Sequence, residues 1–261
     1  MIITPNTEEL LLAAAYNNAA WCAAVCRDGD FTAQAWSSPR PTPLYYPDAV
    51  TLTRDTDTAA LLAGIDTAAP RASVKDSFAA LDLAPAGFEV LFGAEWIHRP
   101  AGAPGAAPAL AWSRISGPAE LEAWETAWDG EESTGLFHPG LLTGTGEEAA
   151  EGEETGKAAE GGEAAEGGDF GDIAFLAGRD AEGRILAGAA ANRTGEVVGI
   201  SNVFSADGTP DDEAWTGALT LTAALWPGLA LVGYESGDDL GTALRHGFTA
   251  VGPLRVWVHS G

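Results

Sequence analysis

Two pairs of neighbouring residues could do chemistry. Tyr234 and Glu235 close the apolar run 229–235, and Ser201 and Asn202 interrupt the apolar run 197–204. A glutamate at the end of a buried strand can take a proton from a substrate amine. Ligands also gather at the ends of central strands in α/β folds. Tyr234 is the phenol nearest that position, so Glu235 and Tyr234 are the catalytic candidates. The bland alternative for Glu235 is a carboxylate at the start of the next helix. Ser201 and Asn202 are polar within an apolar strand and need partners. They mark either a substrate contact or a strand bulge near Gly199. Arg255, in 253–258, is flanked by aliphatics and needs a carboxylate. It is the third substrate-binding candidate, with an ion pair to Glu235 as the structural alternative.

Other polar residues are weaker candidates. Lys75 lies between Val74 and Asp76, where a surface ion pair is the expected use. His246 precedes Gly247 at a helix end, which favours a cationic cap. Cys22 and Cys26 are one helical turn apart and read as two reduced thiols. No residues are spaced to complete a metal site around them. Nucleophile-elbow, zinc-protease, dinucleotide and P-loop motifs are absent.

The elements that must position these residues follow from apolar periodicity. Helices are expected at 8–27, 58–65, 77–83, 118–129, 211–226 and 238–246. Strands are expected at 31–36, 49–53, 88–98, 110–115, 173–178, 185–192, 197–204, 229–235 and 251–259. The run Arg99–Ala109 holds three prolines and two glycines and reads as a linker. It separates an N-terminal α+β unit, 1–99, from a larger unit, 110–261, with 100–109 between them. Segment 144–168 carries eight Glu against one Lys and no aromatic residue, which predicts a disordered acidic insertion. The nine tryptophans mostly fall at periodic positions and suit core packing.

Composition excludes several partners. Thirty-eight acidic residues face thirteen Lys and Arg, a net charge of −25. Nucleic acid and anionic membrane surfaces both require clustered cations that this chain lacks. No apolar run is long enough to span a bilayer. The first apolar stretch, 10–15, follows two glutamates and has no basic flank, unlike a signal peptide. The expectation is a cytoplasmic protein that acts on a small molecule. Self-association stays open. The Ala- and Gly-rich, Lys-poor composition is that of a GC-rich bacterial source.

The order of elements in 110–261, closing on "DDLGTALRHGFTAVGPLRVWV", resembles the GCN5-related N-acetyltransferase (GNAT) superfamily. The resemblance implies an α+β fold with a mixed central sheet flanked by helices. It implies an acyl-CoA cofactor, acetyl-CoA first, and transfer of the acyl group to an amine. A fainter echo links "AGFEVLFGAEWIH" (86–98) to "HGFTAVGPLRVWVH" (246–259): Gly-Phe, an apolar strand, then Trp, an aliphatic residue and His. It suggests that the N-terminal unit is a truncated second copy.

The chain departs from the family pattern in two places. The family's CoA turn is of the type Arg/Gln-x-x-Gly-x-Gly/Ala, and its amides hold the pyrophosphate. Here it reads "SADGTPDDE" (205–213), with one glycine, no Arg or Gln, and carboxylates at Asp207, Asp211, Asp212 and Glu213. The tyrosine that the family often places four residues before the last helix's glycine is Ala243. No residue is therefore assigned to CoA. Two readings follow: an acyl-CoA-dependent N-acyltransferase of a small amine, or a GNAT-like scaffold that has lost CoA and binds a small molecule or a protein.

Overall fold

The computed structural model describes residues 6–102, 106–130, 133–142, 173–206 and 208–260. The expected insertion at 144–168, and Asp207 of the acidic turn, lie outside them.

The first helix, α1 (Thr7–Cys26), is started by a capping box. Asn6 accepts from the Glu9 amide at 2.9 Å, and Glu9 accepts from the Asn6 amide at 2.8 Å. It ends at Arg27, held in the left-handed region with φ 57°. Next come β1 (Asp30–Phe31), β2 (Ala35–Ser37), β3 (Ala49–Thr51), α2 (Thr58–Ala63), β4 (Ser73–Asp76) and β5 (Phe88–Arg99). The remainder is β6 (Ala111–Arg114), α3 (Pro118–Asp129), β7 (Ile173–Arg179), β8 (Ile185–Thr194), β9 (Val197–Ser205), α4 (Asp211–Leu225), β10 (Ala230–Glu235), α5 (Gly237–Arg245) and β11 (Thr249–His259).

The helix expected at 77–83 does not form. The Asp76 carboxylate instead accepts from the amides of Phe78, Ala80 and Leu81, at 3.3, 3.2 and 2.9 Å. Gathering those amides onto one side chain curls the chain into turns.

All eleven described strands form one mixed sheet, in the order β1-β2-β3-β4-β11-β5-β10-β9-β8-β7-β6. The two sides of that order correspond. β1, β2 and β3 are antiparallel neighbours, and β3 runs parallel to β4. Likewise β7, β8 and β9 are antiparallel neighbours, and β9 runs parallel to β10. The last strands exchange: β5 lies between β10 and β11, and β11 between β4 and β5. The strands of 1–99 and of 110–261 therefore interleave.

Side-chain alternation assigns the two faces. Ile173, Phe175 and Ala177 pack with α1 and α3, against Trp21 and Trp124. Ala174 and Leu176 point the other way, to α4 and α5, against Trp215, Ala218 and Ala243. α1 is fixed to the sheet by a buried polar lock. Asn17 Nδ2 donates to the Asn192 carbonyl and to Thr194 Oγ1, both at 2.9 Å, and Asn192 Nδ2 returns a bond to the Asn17 carbonyl at 3.2 Å. Gly199 leaves the space for both amides, since a Cβ there would overlap the Asn17 carboxamide. No described helix is long and apolar enough to cross a membrane.

Glu125 on α3 is 1 % exposed. Its carboxylate accepts from the Thr134 amide and hydroxyl and from the Leu136 and Phe137 amides, at 2.9, 2.8, 3.0 and 3.4 Å. Burial pushes its pKa up, but these donors outweigh burial and hold it below the ordinary value. Glu125→Gln keeps the shape but turns one acceptor into a donor facing those amides. The expected cost is about 2–3 kcal/mol, read as a lower urea midpoint at pH 7 with an unchanged m-value.

Candidate functional site

The parallel pair β9·β10 is short. It is in register only from Val197, Val198 and Gly199 to Ala230, Leu231 and Val232. Beyond Gly199 the two strands follow other partners. β10 stays with β5 through Tyr234↔Trp96 and Glu235↔Glu95. β9 stays with β8 but bulges, because Ser201 opposes Ala190 while Phe204 opposes Gly188. The extra residue puts Asn202 at φ 51° and re-aims the side chains around it. The parting strands leave a cavity of roughly 280 Å³ that opens between them, with Asn18, Lys75 and Tyr234 on its α1 side and Ile200, Val203 and Glu235 toward the α4 and α5 side.

Four of the five residues singled out from sequence line this cavity. Ser201 points in, and its buried Oγ has no hydrogen-bond partner among the described residues. Asn202 sits on the bulge at its rim. Tyr234 packs edge-on against Trp96, with ring centroids 5.6 Å apart. Glu235 also lines the opening, and burial first, then the negative charge of Asp239, pushes its pKa up to about 8. Ser236, not Glu235, is the N-cap of α5.

Arg255 is the exception. It lies exposed on β11, outside the cavity and without an ion pair to Glu235. Its neighbours Leu254 and Val256 take the inward face against Trp96 and Val232, so alternation turns Arg255 outward. His246 does end its helix, and its ring meets Asp212 at 3.0 Å.

Lys75 is the residue whose role the sequence hid. It is 3 % exposed rather than on the surface, and it makes no ion pair among the described residues. Its Nζ donates to Asn18 Oδ1 at 2.8 Å and stands 4.1 Å from the centroid of the Tyr234 ring. Two signals pointed to it: the scarcity of lysine in the chain, and the Asn17-Asn18 pair inside an otherwise apolar, Ala-rich helix. Tyr45, Tyr46 and Pro47 close the cavity from the loop before β3. Among the described residues no three His, Cys, Asp or Glu side chains gather as a metal site would require.

Solved structures share this architecture. A GCN5-related N-acetyltransferase from Kribbella flavida superposes with a TM-score of 0.59 at 15 % identity, over 95 % of this chain and 96 % of that one. A conserved protein of unknown function from Staphylococcus epidermidis gives 0.58 at 10 %, over 89 % and 94 %. A protein from the GNAT family of Novosphingobium aromaticivorans gives 0.52 at 11 %, over 95 % and 99 %. No protein-family model matches the sequence, and no curated protein does either. At these identities the likeness shows the fold: the chain has the mixed α+β fold of the GNAT acetyltransferases.

That fold implies acyl-CoA, with its pyrophosphate at the start of α4. The residues there do not fit it. The N-cap is Pro210, which has no amide to offer, and Asp211, Asp212 and Glu213 fill the first turn. Each carboxylate is already engaged. Glu213 accepts from the Ala109 and Leu110 amides at 2.9 Å and from Trp112 Nε1 at 3.3 Å. Asp212 meets His246, and Asp211 accepts from the Ser205 hydroxyl. Ala243 is fully buried beside Trp215 and Phe248, in a core that leaves no place for a phenol. The corresponding helix of the N-terminal half, α2, has six residues, and Asp57 closes it by accepting from the Ala60 amide at 3.0 Å.

The raised Glu235 has a measurable consequence. Its carboxyl stays protonated in the folded chain up to about pH 8, while the unfolded chain ionises it above about 4.5. The folded state then binds more protons, so this group's contribution to stability falls as pH rises from 4.5 to 8 and is level beyond. Glu235→Gln removes that fall. Relative to the parent, its stability rises across this window by on the order of 2–4 kcal/mol at pH 8. Thermal denaturation of both proteins from pH 5 to 9 reads the difference, and parallel curves would count against a buried neutral Glu235.

Proposed function

We propose that this protein is a GNAT-fold scaffold that binds a small molecule in the cavity between β9 and β10 and does not hold CoA at α4. The observation that carries the reading is the first turn of α4. Three carboxylates stand there, each satisfied by the chain's own donors. A pyrophosphate would have to displace those bonds and approach like charge.

One observation favours a second reading, N-acyl transfer to a small amine. A carboxyl with a pKa near 8, beside a bulged strand, is tuned to accept a proton from a substrate ammonium. Glu235 would then be the base, Tyr234 would orient the amine through its hydroxyl, and Ser201 and Asn202 would contact the substrate. The acyl donor would need a seat other than the start of α4.

The matching order and sense of β1–β4 and β7–β10, with their exchanged last strands, supports reading the N-terminal half as a truncated copy of the C-terminal one. A cytoplasmic location fits the composition.

Calorimetric and thermal-shift titration with acetyl-CoA separates the two readings. No heat and no shift at millimolar acetyl-CoA is the expected outcome. Micromolar binding would overturn the scaffold reading, because a ligand that binds only the folded state must raise its melting temperature.

A further inference from the structure

The cavity continues into a second space. A groove of roughly 440 Å³ shares Tyr45, Tyr46, Lys75 and Tyr234 with it, and runs outward over β4, β11 and β5 under the Pro41–Pro47 loop. Its sheet wall is apolar: Leu91, Phe92, Val256 and Val258. Leu44, Leu91 and Phe92 are exposed there, at 57 %, 53 % and 39 %. Lys75 stands at the junction.

The charges around that junction are incomplete. A buried ammonium ordinarily has a carboxylate partner, because an unpaired buried charge is costly. Among the described residues Lys75 has only a neutral amide oxygen and an aromatic face, in a chain with thirty-eight acidic residues. At the other side of the same cavity, Glu235 has no donor: no described cation or amide bonds to it, and its cross-strand neighbour is another acid, Glu95. One cavity thus holds a cation without an anion and an acid without a cation. An apolar groove leads away from them. Ser201 Oγ, buried and unpartnered, adds an unused hydrogen-bonding group on the same wall.

We propose that cavity and groove together hold one amphoteric small molecule, with its carboxylate on Lys75, its ammonium toward Glu235, and its apolar body in the groove over Phe92 and Val256. This rests on the reading of the cavity as a ligand site, and it names the class of ligand: a free amino acid with a large apolar side chain, or a compound of the same three parts. Simple amines leave Lys75 unpaired, and simple fatty acids leave Glu235 unpaired. A nucleotide would meet Lys75 and the exposed Arg71 of the groove rim, with the Asp48 carboxylate also on the groove, and no cluster of cations to hold its phosphates.

The test is isothermal titration of the full chain with the twenty common amino acids. The best binder is followed by its decarboxylated amine and its deaminated acid, with p-cresol as an uncharged probe of the aromatic cavity. The expected result is binding of an amino acid with a large apolar side chain, with each truncated analogue weaker by about tenfold or more. Lys75→Met should then remove the advantage of the amino acid over its amine. Glu235→Gln, which cannot release a proton and turn anionic when the ammonium arrives, should remove its advantage over the deaminated acid. Urea unfolding of both variants checks that the fold is kept. If the amine or the acid alone binds as tightly as the amino acid, the proposal is overturned and the cavity reading stands. Binding of p-cresol without any amino acid has the same meaning. If no probe binds, including p-cresol, the cavity reading falls too.

Discussion

The pairing of β5 with β11 is the contact on which the rest of the sheet depends. It is antiparallel and runs from Phe88↔His259 to Thr249↔His98. Each strand belongs to one half of the chain and lies inside the other half. Cutting this ladder would divide the sheet into two pieces, each with an unpaired edge along its buried middle, and unpaired backbone there is costly. The exchange also shapes the site. β5 keeps β10 paired up to Glu235, while β9 follows β8 past its bulge. The two parallel strands then have no choice but to diverge. β5 furnishes Trp96 under Tyr234 and Glu95 opposite Glu235.

Those two strands were also the most legible part of the sequence. Their shared pattern, Gly-Phe to Trp-x-His, was visible because it answers to backbone demands. Gly87 and Gly247 both sit in the left-handed region, at φ 86° and 87°, each after a helical piece. Strand β4 was not legible. Lys75 and Asp76 look like surface residues, yet both are buried, one against Asn18 and Tyr234 and the other under three amides. Local pattern reports how often a position is apolar, not what a polar side chain will meet across the fold. The same limit explains Arg255. Alternation along β11 says that it faces away from Leu254 and Val256, but not which face looks into the cavity. Ser201, Asn202, Tyr234 and Glu235 converge because they sit where two neighbouring strands part, and apolar runs broken by polar residues do mark such places.

The acidity of the chain has a structural use. Asp76 and Glu125 each gather three or more backbone or hydroxyl donors. Glu213 ties the chain before β6 to α4, and Asp48 takes the amides of Thr42 and Ser73 at 2.9 and 2.7 Å. These carboxylates stand where loops would otherwise leave amides unpaired. The start of α4 is one case of this habit. A helix terminus that could serve an external phosphate has been given over to the chain's own carboxylates, with Glu213 and Gly217 one turn apart seating Trp112.

A carboxylate devoted to backbone amides is unavailable to a buried lysine, and this bears on the cavity. Among the described residues the one acid that lines it is Glu235, whose own neighbours, Glu95 across the strand pair and Asp239 on α5, are acids too. Burial, and then the negative charge of Asp239, keep Glu235 protonated near neutrality, so it cannot neutralise Lys75 from across the cavity. Lys75 instead relies on Asn18 and on the face of Tyr234, both of which orient an ammonium without cancelling its charge. The outcome is a local inversion of sign: an interior positive point inside a strongly negative protein. Coulomb attraction is strongest where water is excluded, so that point selects among ligands far more than its single charge would at the surface.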